Sequence, residues 1–271
     1  MKPWTSALLA AGILIGGGSV WQGSFAQAAF VPSKVTTPIE IALEAEGNSK
    51  GSTSPTLISS KVKQSKVKVL STTAKVQIKN TEVALEYPQV SGLNNKKAES
   101  AINKVLKNEV DALVANFIKE AKGFEKPTAE HPHELMSSYE VMYNENGVIS
   151  FVTSSYAIHG GANGRNIRNG HTFALSTGKE LTLYDVLQNS KSMLDKLSKN
   201  VGEQLEAKYN VRSEYKGLDK DQDFYVTPKG VVVFFQQYEY TSRVEGFPEF
   251  TFKYKEVLPK GAVPFSNLKK K

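Results

Sequence analysis

Apolar residues recur along this chain with two different periods. Between Asn94 and Lys122, Ala98, Ile102, Val105, Leu106, Val110, Leu113, Phe117 and Ile118 return every three or four residues. That spacing gathers them on one face of a helix and leaves Glu, Lys and Asn on the other. Asn94 or Asn95 supplies the cap, the Ser91-Gly92 turn precedes it, and Gly123 stands where the helix should stop. A second long helix is predicted over Lys191–Tyr209, with Leu194, Leu197, Val201 and Leu205 in line. Elsewhere the period is two. Val76, Ile78, Val83, Leu85 and Tyr87 run up to Pro88, and Tyr139, Val141 and Tyr143 alternate with Glu140, Met142 and Asn144. Asn146-Gly147 is a hairpin signal that returns the chain into Val148–Ile158. Asn169–Leu175 is β-like, Ser176–Lys179 is a tight turn, and Thr182-Leu-Tyr-Asp185 is a capping box for a short helix. Asp223–Thr227 and Val231–Gln236 form a hairpin whose second strand is apolar enough to be buried on both faces. Phe250, Phe252 and Tyr254 mark a last strand. The elements together predict an α+β fold: an antiparallel sheet packed with two long helices, in two interlocking halves.

The ends of the chain read differently. Residues 1–28 have a basic start at Lys2, an apolar stretch Ala7–Ile15 and a small-residue site at Ala26-Gln27-Ala28, the pattern of a cleaved secretory signal peptide. Residues 29–60, rich in Ser, Thr, Pro, Gly and Lys, read as a flexible linker. An amino-terminal half over 61–155, a carboxy-terminal half over 156–258 and a basic tail over 259–271 follow. After signal cleavage no transmembrane span is expected, which gives a secreted or cell-wall-associated protein. With no cysteine there is no disulfide framework, so the fold must rest on its hydrophobic core. The formal net charge of +7 is spread through lysines. Outside a membrane such a surface favours anionic wall polymers over nucleic acid, and no nucleic acid partner is expected.

Candidate chemistry concentrates in one stretch, Tyr156-Ala-Ile-His-Gly-Gly-Ala-Asn-Gly-Arg-Asn-Ile-Arg168. Gly160, Gly161 and Gly164 suit a backbone at positive φ or in close approach to something, with His159, Asn163, Arg165 and Arg168 around it. Its functional reading is a binding loop; its plain reading is a wide turn between strands. Tyr156, Tyr238, Tyr240 and Arg243 complete the candidate surface, because tyrosine and arginine concentrate interface energy. No nucleophile elbow or phosphate loop is present, and the carboxylates Asp219, Asp221 and Asp223 lie in a hydrophilic loop that could ligate calcium but lacks the later glycine and glutamate of an EF-hand. No cofactor is implied, and a non-enzymatic module is expected. The alternative is a metal-dependent wall-glycan hydrolase or deacetylase acting through His131, His133 or His159.

Several strings in order carry a resemblance. Tyr87-Pro-Gln-Val-Ser-Gly-Leu93 precedes the Ile102-Asn103 helix. Tyr156, Gly160-Gly-Ala and Gly164 lead to Phe173, Leu175 and Thr177-Gly-Lys-Glu-Leu-Thr-Leu183. Phe224-Tyr, Thr227, Tyr238-Glu239 and Pro248-Glu-Phe250 close the series. Over about Lys61 to Val257 the chain resembles the paired extracytoplasmic domain (domains of unknown function 4163 and 3298) of RsiV-type anti-sigma factors and PdaC-type peptidoglycan deacetylases. The resemblance implies an envelope protein whose partner is lysozyme or peptidoglycan. The chain departs from the pattern in placing His159 before the glycines, Asn163 among them, and Gln236-Gln237 where Asn-Pro is common.

Overall fold

The computed structural model describes residues 66–161 and 163–269. The signal-peptide and linker readings, and the proposed start at Lys61, lie outside the described residues. Eight strands and two long helices form an α+β fold. The strands make two sheets rather than one. Strands β1 (Lys68–Thr73), β2 (Thr81–Ser91), β3 (His133–Glu145), β4 (Val148–Ile158) and β5 (Arg165–Ala174) are neighbours in that order. Strands β6 (Phe224–Thr227), β7 (Gly230–Phe234) and β8 (Glu249–Lys253) form the second sheet, with β7 central as its apolar run predicts. One pairing corrects the antiparallel expectation: β2 and β3 are parallel, from Thr81 opposite His133 to Leu85 opposite Ser137. The intervening helix α1 (Lys96–Ala121) supplies the long crossover that a parallel pair requires.

Helix α1 starts where its cap predicts. Asn95 Oδ1 accepts from the N–H groups of Lys97 and Ala98 at 3.1 and 3.2 Å. Ile102, Leu106 and Val110 bury its apolar stripe against the first sheet. Helix α2 (Leu183–Val186) has the predicted capping box between Thr182 and Asp185. Helix α3 (Lys191–Lys208) packs Leu194, Leu197, Val201 and Leu205 into one cluster with Phe224, Val226, Val231 and Val233. Alternation on β6 and β7 explains the layering. Val231, Val233 and Phe235 join the α3 cluster, whereas Val232, Phe234 and Tyr225 pack on Val152 of the first sheet. The order of layers is therefore α1, first sheet, second sheet, α3.

The face of β4 and β5 that meets the second sheet carries small side chains at Ser150, Ser154, Gly170 and Thr172 beside Val152 and Arg168. Ser150 pairs with Thr172, Val152 with Gly170, and Ser154 with Arg168. Ser150 Oγ accepts from the Val226 N–H at 3.2 Å, and Gly170 lies against the Phe224 carbonyl. The halves interlock here, because β5 completes the first sheet and then leads to α2. Three sequence expectations need revision. A bulge between Val141 and Tyr143 puts Tyr143 opposite Ser150 and buries it in the second sheet's cluster, whereas Val141, opposite Phe151, is 44% exposed. Tyr254 begins the short helix α4 (Tyr254–Val257) instead of ending a strand. Val76 and Ile78 pack beside α1 from outside any strand.

Candidate binding surface

Residues 159–161 and 163–164 lie between β4 and β5, whose last pairs place Tyr156 opposite Asn166 and Ala157 opposite Arg165. Gly160 and Gly161 hold φ of +85° and +83° with nothing within 4 Å of either missing Cβ, so the turn's backbone is what requires glycine. Gly164 serves a different need. A Cβ there would lie 2.1 Å from Tyr156 Cε2, and its absence lets the phenol ring cross the foot of the hairpin.

The turn is shorter than the glycine-rich stretch suggests, because Arg165 and Arg168 are residues of β5. They leave the strand in opposite senses. Arg165 Nη2 donates to both carboxylate oxygens of Glu120 at 2.9 Å, tying β5 to the end of α1. Arg168 is drawn inward, donating to Glu249 Oε1 at 2.5 Å with its guanidinium 4.5 Å from the Phe247 ring centroid.

His159 is also turned inward. Its ring is stacked between Phe117 and Phe124, at centroid distances of 4.3 and 4.9 Å, and meets the His133 ring edge-on at 5.2 Å. The side chain is 7% exposed and Nε2 stands 3.7 Å from Glu120 Oε2, beyond hydrogen-bond reach. Burial lowers its pKa below the usual histidine value, and His133 pushes the same way against the opposing charge of Glu120. At neutral pH this histidine is an uncharged packing residue.

Tyr238, Tyr240 and Arg243 belong to the segment between β7 and β8, and they too separate. Tyr240 is 8% exposed and packs edge-on against Phe235 at 4.8 Å, so it is a core residue and not part of the surface. Tyr238, at φ +66°, is 67% exposed. Arg243 Nη1 donates to Asn163 Oδ1 at 2.5 Å and so bridges this segment to the glycine turn. Its charge also reaches Tyr156, whose hydroxyl pKa is raised by burial and by Glu134, with Arg243 opposing. Val244, next to Arg243 and not anticipated from sequence, is 93% exposed. The structure thus brings Tyr156, Gly160, Gly161, Asn163, Gly164 and Arg243 together, with Arg165 at the flank. Tyr238 shares Arg243's segment. His159, Arg168 and Tyr240 serve the interior.

A buried polar network was also missed. His171 on β5 places Nε2 2.9 Å from Glu109 Oε2 and Nδ1 2.7 Å from Glu180 Oε1. Glu109 Oε1 accepts from Thr153 Oγ1 and Asn169 Nδ2 at 2.7 and 2.6 Å. Burial alone would lower the His171 pKa, but the two carboxylates raise it to about 10, and both ring nitrogens carry protons. The signal was available: Glu109 follows Leu106 by three residues on the apolar stripe of α1, where a lone carboxylate needs a partner. Of the other histidines, His131 is exposed and His133 is buried with Nε2 3.2 Å from the Glu125 carbonyl. Among the described residues, no three His, Cys, Asp or Glu side chains gather as metal ligands.

Two family models match the chain in tandem. Residues 74–166 match "Deacetylase PdaC", covering β2 to the start of β5 and the whole glycine turn. Residues 184–255 match "Protein of unknown function (DUF3298)", covering most of α2 through β8. Two solved DUF3298 family structures share the fold. The one from Bacteroides fragilis is 13% identical with a TM-score of 0.51, over 70% of this chain and 91% of that one. The one from Pseudomonas aeruginosa is 13% identical with a TM-score of 0.50, over 71% and 93%. Identity that low speaks to fold alone. No curated protein matches the chain.

Proposed function

We propose that this protein is a non-catalytic binding module of the cell envelope. It would take a wall-associated protein such as lysozyme at the joined surface of the glycine turn and the 236–246 segment. The observation that carries this reading is the Arg243–Asn163 bridge. It makes one surface out of two segments, one from each of the two matched regions, and Tyr238 and Val244 stand out on one of them. Exposed apolar and aromatic side chains flanked by arginine are the composition of a protein interface. The envelope setting is supported by the leader-like residues 1–28 and by the resemblance to RsiV-type and PdaC-type proteins. The chemistry needed by a wall-glycan hydrolase or deacetylase is not offered at this surface. His133 and His159 face the interior, and His171 is held by two carboxylates.

The test is retention of lysozyme and of purified peptidoglycan on the immobilised protein. Lysozyme binding is expected, and Tyr238→Ala with Val244→Asp should weaken it about thirtyfold, the effect of losing ~2 kcal/mol at an interface anchor. The melting temperature should stay where it was. Retention of peptidoglycan alone would replace the ligand, unchanged affinity in the double variant would move the surface, and binding of neither would end the proposal.

A further inference from the structure

The chain contains three Asn-Gly pairs, at Asn146, Asn163 and Asn169. In such a pair the following peptide nitrogen, with no Cβ beside it, has ready access to the asparagine side-chain amide. The fold treats the three differently. Asn146 sits in the β3–β4 turn at φ +53°, and its Nδ2 donates to the Tyr143 hydroxyl at 2.7 Å. Asn169 lies within β5, its Nδ2 donating to Glu109 at 2.6 Å, and Gly170 is pressed against the Phe224 carbonyl. In both, the amide nitrogen is held, and at Asn169 the strand also fixes the backbone. Asn163, like Asn146, is exposed and lies outside the strands. Its contact is through the oxygen, which accepts from Arg243 Nη1. The guanidinium therefore stands where negative charge would gather during attack on the side-chain carbonyl.

We propose that Asn163 is a site of self-modification, its amide lost through attack by the Gly164 nitrogen with Arg243 polarising the carbonyl. The Gly164 nitrogen bonds to Asn163 Cγ and gives its proton to solvent hydroxide. The tetrahedral adduct, its oxyanion facing Arg243, then expels Nδ2, which takes a proton from water and leaves as ammonia. Water opens the cyclic imide at either carbonyl, giving aspartate or isoaspartate. No oxidant or reductant takes part. Either product sets a carboxylate near Arg243, and a neutral contact becomes a charge-assisted one. The junction between the two segments would tighten as the protein ages, whatever it binds.

The test is peptide mapping by mass spectrometry of the folded full chain held in mildly alkaline buffer. The acid product at Asn163 should accumulate at least about tenfold faster than at Asn146 or Asn169. Arg243→Ala should slow it by about tenfold, an exposed donor giving less than the hundredfold or more of a buried oxyanion site. In denaturant the three sites should converge on similar rates. Should the alanine variant fail to fold, Arg243→Gln carries the same expectation. Conversion at Asn163 no faster than at the other two in the folded protein would overturn the proposal. So would a rate indifferent to the loss of Arg243.

Discussion

Gln236 treats Arg168 as a neighbouring strand would. Its Nε2 donates to the Arg168 carbonyl at 2.6 Å, and its Oε1 accepts from the Arg168 N–H at 3.2 Å. A side-chain amide thereby stands in for a peptide group and joins the edge of β5 to the end of β7. The device recurs. Asn103 of α1 holds the N–H and carbonyl of Val90 at 2.8 and 3.0 Å. Asn144 holds those of Val67 at 3.1 and 2.8 Å. Each clasp satisfies backbone groups that would otherwise lie part-buried without a partner. Gln236→Ala should cost about 3 kcal/mol, its two bonds to Arg168 and the one to Asp223 at roughly 1 kcal/mol each, read from urea unfolding. Gln236→Glu should cost at least as much, because a carboxylate would face the Arg168 carbonyl and Asp223 with no proton to give.

His159 should impose an acid limit on stability. Its folded pKa lies below the ordinary histidine value, mainly through burial between Phe117 and Phe124, with His133 adding to the shift. The unfolded chain therefore binds the proton more readily than the folded one. The stability tied to neutral His159 is fully present above about pH 6.5, the ordinary histidine value, and is lost as pH falls through the lower folded value. His159→Phe keeps the stacked ring and removes the titration. Its unfolding free energy should fall less steeply than that of the wild type between neutral and mildly acid pH. Parallel profiles for the two proteins would mean that His159 is not the responsible group.

The Glu109–His171–Glu180 network should show the opposite sign at the histidine. His171 has a folded pKa of about 10, so its contribution is complete below the ordinary histidine value and lost as pH rises towards 10. Glu109 is penalised by burial but held below the usual carboxylate range by His171, Thr153 and Asn169, and its contribution is lost in acid. His171→Leu leaves Glu109 charged and without its cation, a loss of about 3–5 kcal/mol. Adding Glu109→Leu should recover a good part of that, because an apolar pair needs no compensating charge. Chemical denaturation of the two single variants and the double variant decides the matter. A double variant no more stable than His171→Leu would contradict a paired-charge role.

Long-period features were legible in the sequence, and features made by distant pairing were not. The stripe from Ala98 to Phe117 and the line from Leu194 to Leu205 mark both long helices, Asn95 caps the first, and Thr182 caps the short α2. The five-residue apolar run of β7 pointed to a central strand, though not to a separate sheet. The parallel pairing of β2 with β3 has no local signature, since nothing in either strand records where the chain returns after α1. The glycine stretch does connect β4 to β5, but its polar residues do not all lie on the surface. Alternation along β5 sends Arg165 and Arg168 to opposite faces, and aromatic neighbours distant in sequence draw His159 inside. Gln236, noticed only as a departure from a pattern, holds β5 in place.

Two glycines of the same hairpin should fail for different reasons. Gly160→Ala places a Cβ in open space at φ +85°, so the strain is confined to one residue. It should cost about 1 kcal/mol and leave the cooperativity of unfolding unchanged. Gly170 has an ordinary strand conformation but no room. A Cβ would lie 1.9 Å from the Phe224 carbonyl oxygen and 3.3 Å from Phe234 Cε1, and backbone cannot step aside as a flexible side chain can. Alanine there must push β5 away from β6, breaking the fit of Val152, Tyr225 and Phe234 and straining the Ser150–Val226 bond. Overpacking of that kind costs about 1–3 kcal/mol when side chains absorb it, and more is expected where two strands must part. Gly170→Ala should therefore lose more than twice what Gly160→Ala loses, measured by urea unfolding of both variants under one buffer. Equal losses would show that the two sheets are not held together at this crossing.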